Sequence, residues 1–214
     1  MSALAAPPIP YLEDLRHSPA LPEAIRYLQN LWDEEQRARQ QFYEDITDDV
    51  KAEFIDGEII VHSPARLIHS DVRWRLETLL RSLVERHGLG GQVLSEKACC
   101  HFPRNSYEPD VVYFGPEKSA ELKDGTVIFP IPDLAVEILS ESTAARDRGV
   151  KFEDYETHGV SEYWIVDADT GVIEQYVRAA NDKYELRTKS ASGELLSPVL
   201  GNSVIEIRAL FSKA

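Results

Sequence analysis

The sequence lacks the long apolar stretches that membrane proteins require. No run of about 18 or more apolar residues occurs in the 214-residue chain, whereas a membrane-spanning helix needs about 20. The first residues, MSALAAPP, have neither the charged segment nor the apolar segment of a secretory signal peptide. We therefore expect a protein that neither enters a membrane nor is secreted.

Cysteine is almost absent, since Cys99 and Cys100 are the only two. Neighbouring residues on a strand point to opposite faces, so these two thiols are poorly placed to form a disulfide with each other. Cys99 and His101 share a strand face, but two soft ligands without further partners are weak evidence for zinc. We expect reduced cysteines and a cytoplasmic location.

Basic residues are also in short supply. The 37 acidic residues outnumber the 23 basic ones and give a net charge of −14, the wrong sign for holding nucleic acid by charge alone. Binding of a polyanionic partner would therefore need local clusters of basic residues or metal ions.

The sequence also has no Gly-rich phosphate loop, no dinucleotide-binding fingerprint and no serine nucleophile elbow.

The chain is predicted to contain an N-terminal extension and one domain. Residues 1–47 comprise a Pro-rich, irregular arm over residues 1–20 and an amphipathic helix from Pro22 to about Asp45. This helix is expected to pack on the domain or on a second subunit. The domain occupies residues 48–214, and the hydrophobic content of 43% is enough to form a core.

The first part of the domain is predicted to be a hairpin followed by a long helix. KAEFIDGEIIV alternates in polarity around Asp56-Gly57, which is typical of a two-residue turn. Ser63-Pro64 resembles a helix N-cap followed by proline at the first helical position, and the apolar stripe that follows ends near His87-Gly88.

The rest of the domain is predicted to be mainly strands. A further helix should run from Ser142 or Thr143 to His158, with Gly159 as its left-handed stop. SEYWIVDADTGVIEQYVR reads as strand, turn and strand. The other predicted strands lie at about 91–95, 97–102, 110–114, 133–139, 183–188 and 203–207. The order predicts an α/β fold with a mixed central sheet flanked by helices.

Two of the predicted strands carry an acid where an apolar residue would pack better. Asp110 lies in YEPDVVYF, residues 107–114, and Glu137 in PDLAVEILS, residues 132–140. Converging carboxylates repel each other unless a cation lies between them. Oxygen ligands suit Mg²⁺ or Mn²⁺, and a phosphodiester substrate fits that chemistry. Alternatively, Asp110 is a turn cap and Glu137 faces water on a sheet edge.

Several longer segments of the sequence are similar to those of a known family. YEPDVVYF, PDLAVEILSESTAARDRGVKFEDYETHGVSEYWIVD and VIEIRALF resemble the Uma-type family of restriction-endonuclease-like proteins, within the PD-(D/E)xK nuclease superfamily, over residues 50–211. The resemblance implies a restriction-endonuclease-like fold. It also implies that Asp110 and Glu137, with the carbonyl of Ile138, bind Mg²⁺ or Mn²⁺, and that a lysine assists the attacking water.

One position departs from the superfamily motif. Leu139 stands two residues after Glu137, where the motif has lysine. The Uma-type pattern has a lysine in the following helix, and Lys151 matches it. Asp147, Lys151 and Tyr155 are spaced i, i+4 and i+8, so they share one helix face. The alternative is an ordinary surface pair between Asp147 and Lys151.

Two further residues match the family pattern. Glu53, in the hairpin, is a candidate third acid near the metal, and the alternative is a solvent-facing strand acid. Glu58, on the return strand, is a weaker candidate. His69 is expected to contact a phosphate or a metal-bound water, and the alternative is a structural histidine.

These observations predict a metal-dependent endonuclease that hydrolyses nucleic acid, with DNA as the expected form and a homodimer as the expected assembly. The rival hypothesis is a catalytically silent, nuclease-derived module whose acidic surface binds a protein or a basic partner. The candidates for contacts to the nucleic-acid backbone are arginines on the two helices, and the alternative is a salt-bridged surface; they are Arg66, Arg73, Arg75, Arg81, Arg86, Arg146 and Arg148.

Overall fold

The structure is a computed structural model that describes residues 11–47 and 49–211. The chain divides into two compact units, Met1–Asp45 and Ile46–Ala214. Among the described residues, no helix combines the length and apolar character needed to cross a bilayer.

The first unit is helical. Helix α1 spans Leu12–Arg16 and α2 spans Leu21–Asp45, so the predicted long helix is confirmed. Part of the predicted irregular arm, residues 1–10, lies outside the described residues. The remainder of that arm differs from the prediction, because it contains the short helix α1.

The second unit mixes strands and helices. Its first half contains β1 (Ala52–Ile55), β2 (Glu58–Val61), α3 (Leu67–Arg86), β3 (Gln92–Ser95), β4 (Cys99–His101), β5 (Ser106–Tyr107), β6 (Val111–Phe114) and α4 (Pro116–Ser119). Its second half contains β7 (Ile128–Phe129), β8 (Leu134–Ile138), α5 (Ala144–Asp147), α6 (Val150–Thr157), β9 (Glu162–Asp167), β10 (Val172–Arg178), β11 (Tyr184–Ser190), β12 (Glu194–Ser197), β13 (Ser203–Glu206) and a 3₁₀ helix (Ile207–Leu210).

A six-stranded mixed sheet with the order β11-β10-β9-β8-β6-β3 lies at the centre of this unit. β8 pairs antiparallel with β6 and parallel with β9. Because strand residues alternate between faces, Val111 and Tyr113 pack with helix α3 on one side. Val112 and Phe114 pack on the other side, with Tyr155 of α6. The strand β6 of this sheet is therefore buried on both faces.

A second sheet of five strands, with the order β2-β1-β5-β4-β7, covers that other side. The prediction of one central sheet was incomplete, since β12 and β13 also form a two-stranded sheet of their own. The strands β5 and β7 have two residues each, which is too short to produce a recognisable alternation in the sequence.

The predicted hairpin is confirmed. β1 and β2 pair antiparallel, with Ile55 opposite Glu58. The turn residues Asp56 and Gly57 have φ angles of 52° and 86°, which is the left-handed geometry of a type I′ turn. The side chain of Asn105 accepts a hydrogen bond from the Asp56 backbone N–H and ties the turn to the adjacent strand region.

Two predicted helix boundaries were wrong. Helix α3 begins at Leu67 after an extended Arg66, and residues 63–66, which were predicted to form its cap and first turn, are not helical and line a cleft. The helix predicted up to His158 is broken at Gly149, whose φ of −113° and ψ of −106° are not helical. Gly159 has a φ of +86°, as expected of the residue after a helix C-terminus.

Candidate active site

An open cleft of about 1070 Å³ lies in the second unit. It is bordered by the residues that flank the β1–β2 hairpin, by the start of α3 and by the ends of β6 and β8. The lining residues that carry polar chemistry include Lys51, His62, Arg66, His69, Arg73, Lys97, Asp110, Glu137 and the backbone of Ile138.

Asp110 and Glu137 come together because their strands are neighbours. Val111 of β6 lies opposite Val136 of β8 in an antiparallel register, so the preceding residue, Asp110, faces Glu137. Both side chains are buried. Asp110 Oδ2 also accepts a hydrogen bond of 2.8 Å from the backbone N–H of Ile138, which fixes the carboxylate against the end of β8.

Lys51 and His69 complete the surroundings of Asp110, and we call these three residues the cleft cluster. Lys51 Nζ donates to Asp110 Oδ1 at 2.7 Å, and His69 Nε2 lies 3.3 Å from Asp110 Oδ2. Burial alone would raise the pKa of Asp110, but Lys51 and His69 outweigh it and lower this pKa well below its ordinary value. Burial would lower the pKa of Lys51, but Asp110 and Glu137 raise it overall. Asp110 is therefore ionised and Lys51 is protonated.

His69 also contacts the backbone at the end of β8. Its Nε2 lies 3.1 Å from the carbonyl oxygen of Ile138. Because a carbonyl oxygen only accepts hydrogen bonds, we assign the proton to Nε2. The predicted histidine therefore lies in the site, where it holds both the Ile138 carbonyl and Asp110.

Lys151 is buried among three acids, one of which is Glu137. Its ammonium is 2.8 Å from Glu53 Oε1, 3.0 Å from Glu137 Oε1 and 3.3 Å from Asp147 Oδ1. The Tyr155 hydroxyl donates to Glu137 Oε1 at 2.9 Å. We call these five residues the inner cluster. Asp147, Lys151 and Tyr155 lie on the same side, as their i, i+4, i+8 spacing predicted, although the helix is broken after Asp147.

The acids of the inner cluster differ in their pKa values. Burial raises the pKa of Glu137 to about 8, since its effect exceeds that of the Lys151 ammonium. Burial would also raise the pKa of Glu53, but Lys151 and His62 lower it to about 2. Burial raises the pKa of Asp147 despite Lys151. The cluster contains three acids and one lysine, so a single ammonium group is the shared cation of three carboxyl groups.

Glu53 is held by more than Lys151. Its Oε1 accepts a hydrogen bond of 3.0 Å from the backbone N–H of Glu108, and its Oε2 lies 2.9 Å from His62 Nε2. The weaker candidate, Glu58, is exposed on β2. The two hairpin acids therefore have different surroundings, and only Glu53 belongs to the inner cluster.

Sequence reasoning missed Lys51 and His62. Part of the signal was local, because Lys51 stands two residues before Glu53 and strand residues at i and i+2 face the same side, but the contact of Lys51 with Asp110 is not local. The Lys51 carbonyl accepts a hydrogen bond from the His62 backbone N–H at 3.0 Å, which extends the hairpin ladder by one pair. Lys51 and His62 therefore form the pair just beyond the ends of β1 and β2, where Lys51 contacts Asp110 and His62 contacts Glu53.

Of the predicted arginines, only Arg66 and Arg73 line the cleft. Each is paired with an acid: Arg66 Nη2 lies 2.6 Å from Asp169 Oδ2, and Arg73 forms an ion pair with Glu96. These pairs reduce the positive charge that the cleft offers to a polyanion.

The donor set of this region fits a divalent cation. Among residues 11–47 and 49–211, no group of three or more His, Cys, Asp and Glu side chains is arranged to hold a metal. Asp110, Glu137 and the Ile138 carbonyl nevertheless supply oxygen ligands at one cleft, and Mg²⁺ typically needs one or two carboxylates with waters and a phosphate. Burial raises the pKa of Glu137, and a cation beside this carboxyl group would favour its ionised form.

Solved structures include one similar to this chain, the crystal structure of "a putative nuclease belonging to DUF820" from Anabaena variabilis ATCC 29413. The two chains share 21% sequence identity with a TM-score of 0.67, and the match covers 80% of this chain and 96% of that chain. The likeness confirms the predicted mixed α/β fold with flanking helices. No curated protein matches the sequence.

A sequence profile identifies the family. The profile of the Uma2 family, described as "Putative restriction endonuclease", matches residues 39–208, which is most of the chain. The match confirms the resemblance noted in the sequence. The chain therefore belongs to the Uma2 family.

Proposed function

We propose that this protein is a Mg²⁺- or Mn²⁺-dependent endonuclease that hydrolyses phosphodiester bonds in DNA. The observation that supports it best is the convergence of Asp110 and Glu137 from adjacent strands at one cleft, with Lys151 3.0 Å from Glu137. Family membership points to the same class of reaction.

Asp110, Glu137 and the carbonyl of Ile138 would hold the cation. When bound, such an ion supplies a Lewis acid for the phosphate and lowers the pKa of a water molecule. The Ile138 N–H and His69 keep the Asp110 carboxylate and the Ile138 carbonyl oriented towards the cleft.

Lys151 has a supporting role in this mechanism. Burial lowers its pKa, but Glu137, Glu53 and Asp147 outweigh burial and raise it well above the ordinary value. Because a protonated lysine cannot accept a proton, Lys151 acts as a fixed positive charge that orients Glu137 and Glu53. Tyr155 donates to the same Glu137 oxygen and adds a second restraint.

Binding of nucleic acid is proposed to be weak and strongly salt-dependent. The net charge of −14 opposes it, and acids pair with the cleft arginines Arg66 and Arg73. Contacts to the phosphate backbone position a strand without reading its sequence. A homodimer and a cytoplasmic location, in keeping with two free, buried cysteines, remain predictions.

The test is a cleavage assay on supercoiled plasmid and single-stranded DNA with Mg²⁺, Mn²⁺ or EDTA. The wild-type protein should cut in the presence of either metal, and Asp110→Asn should cut about 10³-fold more slowly. Equal cutting by both proteins would indicate a contaminating nuclease. Absence of cutting by either would favour the rival interaction module, which the acidic surface also suits.

A further inference from the structure

The two lysines near the acids differ in their access to the cleft. The side chain of Lys51 is 23% exposed, whereas that of Lys151 is 1% exposed. Among the described residues, those that line the cleft include Lys51 but not Lys151. A molecule that enters the cleft would therefore meet the ammonium of Lys51 first.

Lys151 is also fully engaged with its neighbours. An ammonium group has three N–H donors, and three carboxylates, those of Glu53, Glu137 and Asp147, lie within 3.3 Å of this one. To contact a phosphate it would have to leave acids that are themselves buried. Such a loss of partners for buried charges costs several kcal/mol.

The position of Lys51 is fixed by the hairpin. Its carbonyl oxygen accepts a hydrogen bond from the His62 N–H, and its side chain faces the same side as Glu53 two residues later. Asp110 is the acidic partner of Lys51 among the described residues, at 2.7 Å. The remaining N–H donors of the ammonium can therefore point into the cleft beside the acid pair.

We propose that Lys51, and not Lys151, is the lysine beside the acid pair that contacts the phosphate of the bound DNA, an inference that rests on the proposed function. Its ammonium bridges the Asp110 carboxylate and a non-bridging phosphate oxygen, which brings that phosphate next to Asp110 and Glu137. Lys151 holds the acids in place and does not touch the substrate. The other cleft cations at the start of α3 already have acidic partners, so they contribute less to phosphate binding.

The direct test measures binding without cutting. A fluorescein-labelled single-stranded DNA oligonucleotide is titrated with protein in Ca²⁺, and the dissociation constant is followed by anisotropy over a series of NaCl concentrations. Wild type is compared with Lys51→Met, Lys51→Arg and Lys123→Met; Lys123 is an exposed lysine outside the cleft lining.

Lys51→Met should weaken binding about 5- to 10-fold and reduce the slope of log K against log salt by about 0.7, because one phosphate contact is lost. Lys51→Arg should keep the wild-type slope, and Lys123→Met should behave as wild type. Urea unfolding should show that Lys51→Met is fully folded under the conditions of the binding assay, so that a change in binding does not reflect unfolding.

Cleavage kinetics supply a second readout. Lys51→Met should lower kcat about 100-fold, and Lys51→Arg should recover part of the rate. If wild type fails to cut but binds DNA through Lys51, the proposed function is refuted and the assignment of Lys51 stands. Binding that is the same for wild type and Lys51→Met, including no binding by either, overturns the assignment whether or not the protein cuts.

Discussion

The inner cluster and the cleft cluster place the same pair of chemical groups, a lysine and carboxylates, in different surroundings. In the inner cluster Lys151 is enclosed by three carboxylates and is 1% exposed. In the cleft cluster Lys51 has one acidic partner, Asp110, and is 23% exposed. An ammonium group enclosed by acids cannot leave them to contact a ligand. An ammonium group at a cleft can contact a ligand as well as its acid. Sequence motifs identify residue types, but burial decides which residue can meet a substrate.

Replacement of the enclosed lysine should have the largest effect on stability. Lys151→Met leaves three buried acids without their cation, so we expect it to lower the free energy of unfolding by about 3–5 kcal/mol at neutral pH. The loss should shrink near about pH 5, because the acids can then take up protons. Urea unfolding at the two pH values measures both effects.

The matched control is Lys51→Met, which removes a partly exposed ammonium. It should lower the free energy of unfolding by no more than about 1 kcal/mol, since water can replace part of the contact with Asp110. If Lys51→Met destabilises the protein more than Lys151→Met does, the distinction between the two clusters is wrong.

A smaller effect is expected from Tyr155, which restrains Glu137 through one hydrogen bond. Tyr155→Phe keeps the buried ring and removes the hydroxyl donor, so it should cost about 1–3 kcal/mol of unfolding free energy. Thermal and urea unfolding measure this loss. Tyr184→Phe is a suitable control, because its hydroxyl donates to the carbonyl of Val160 and not to an acid. An equal or larger loss in the control would contradict the special role of the Glu137 contact.

The smallest effect is expected at Glu174, which faces partly exposed cations. Its carboxylate binds Arg148 at 2.7 and 2.9 Å and Lys189 at 3.1 Å. The Arg148 hydrogen bonds are the main reason that its pKa falls from 4.5 to about 2. Because the pKa is lower in the folded state, the contribution to stability is present above about pH 4.5 and is lost as the pH falls towards 2.

Glu174→Gln should therefore lower the free energy of unfolding by about 1 kcal/mol at neutral pH, after allowance for solvent screening. The mutant and wild-type curves of stability against pH should converge in acid. Curves that stay parallel down to low pH would show that charge is not the cause.

The residues themselves predicted the acid pair only in part, because a turn cap at Asp110 and a water-facing Glu137 stayed open as alternatives, and the family resemblance implied the shared site. Asp110 follows Pro109 at the start of a strand, and Glu137 lies in an apolar run, so the conflict with burial is visible in the text. The i, i+4 spacing likewise predicted that Lys151 lies on the same helix face as Asp147, and this holds although the helix is broken at Gly149. Whether a helix face is buried depends on what packs against it, and the enclosure of Lys151 was for that reason not predictable.

Lys51 was missed for a related reason. Its distance from Asp110 along the chain is 59 residues, and the contact forms only because β1 pairs with β5 in the second sheet. β5 has two residues and no pattern that marks it as a strand. Contacts that depend on such short strands are set by tertiary packing, which overrides local propensity.

The central claim is that Asp110 and Glu137 hold one divalent cation, and calorimetric titration with Mn²⁺ tests it without any substrate. We predict saturable binding by the wild-type protein, loss of the binding heat in Asp110→Asn and Glu137→Gln, and wild-type binding in Glu58→Gln, whose acid is exposed on β2. Binding that survives both replacements, or no binding by the wild type, would contradict it.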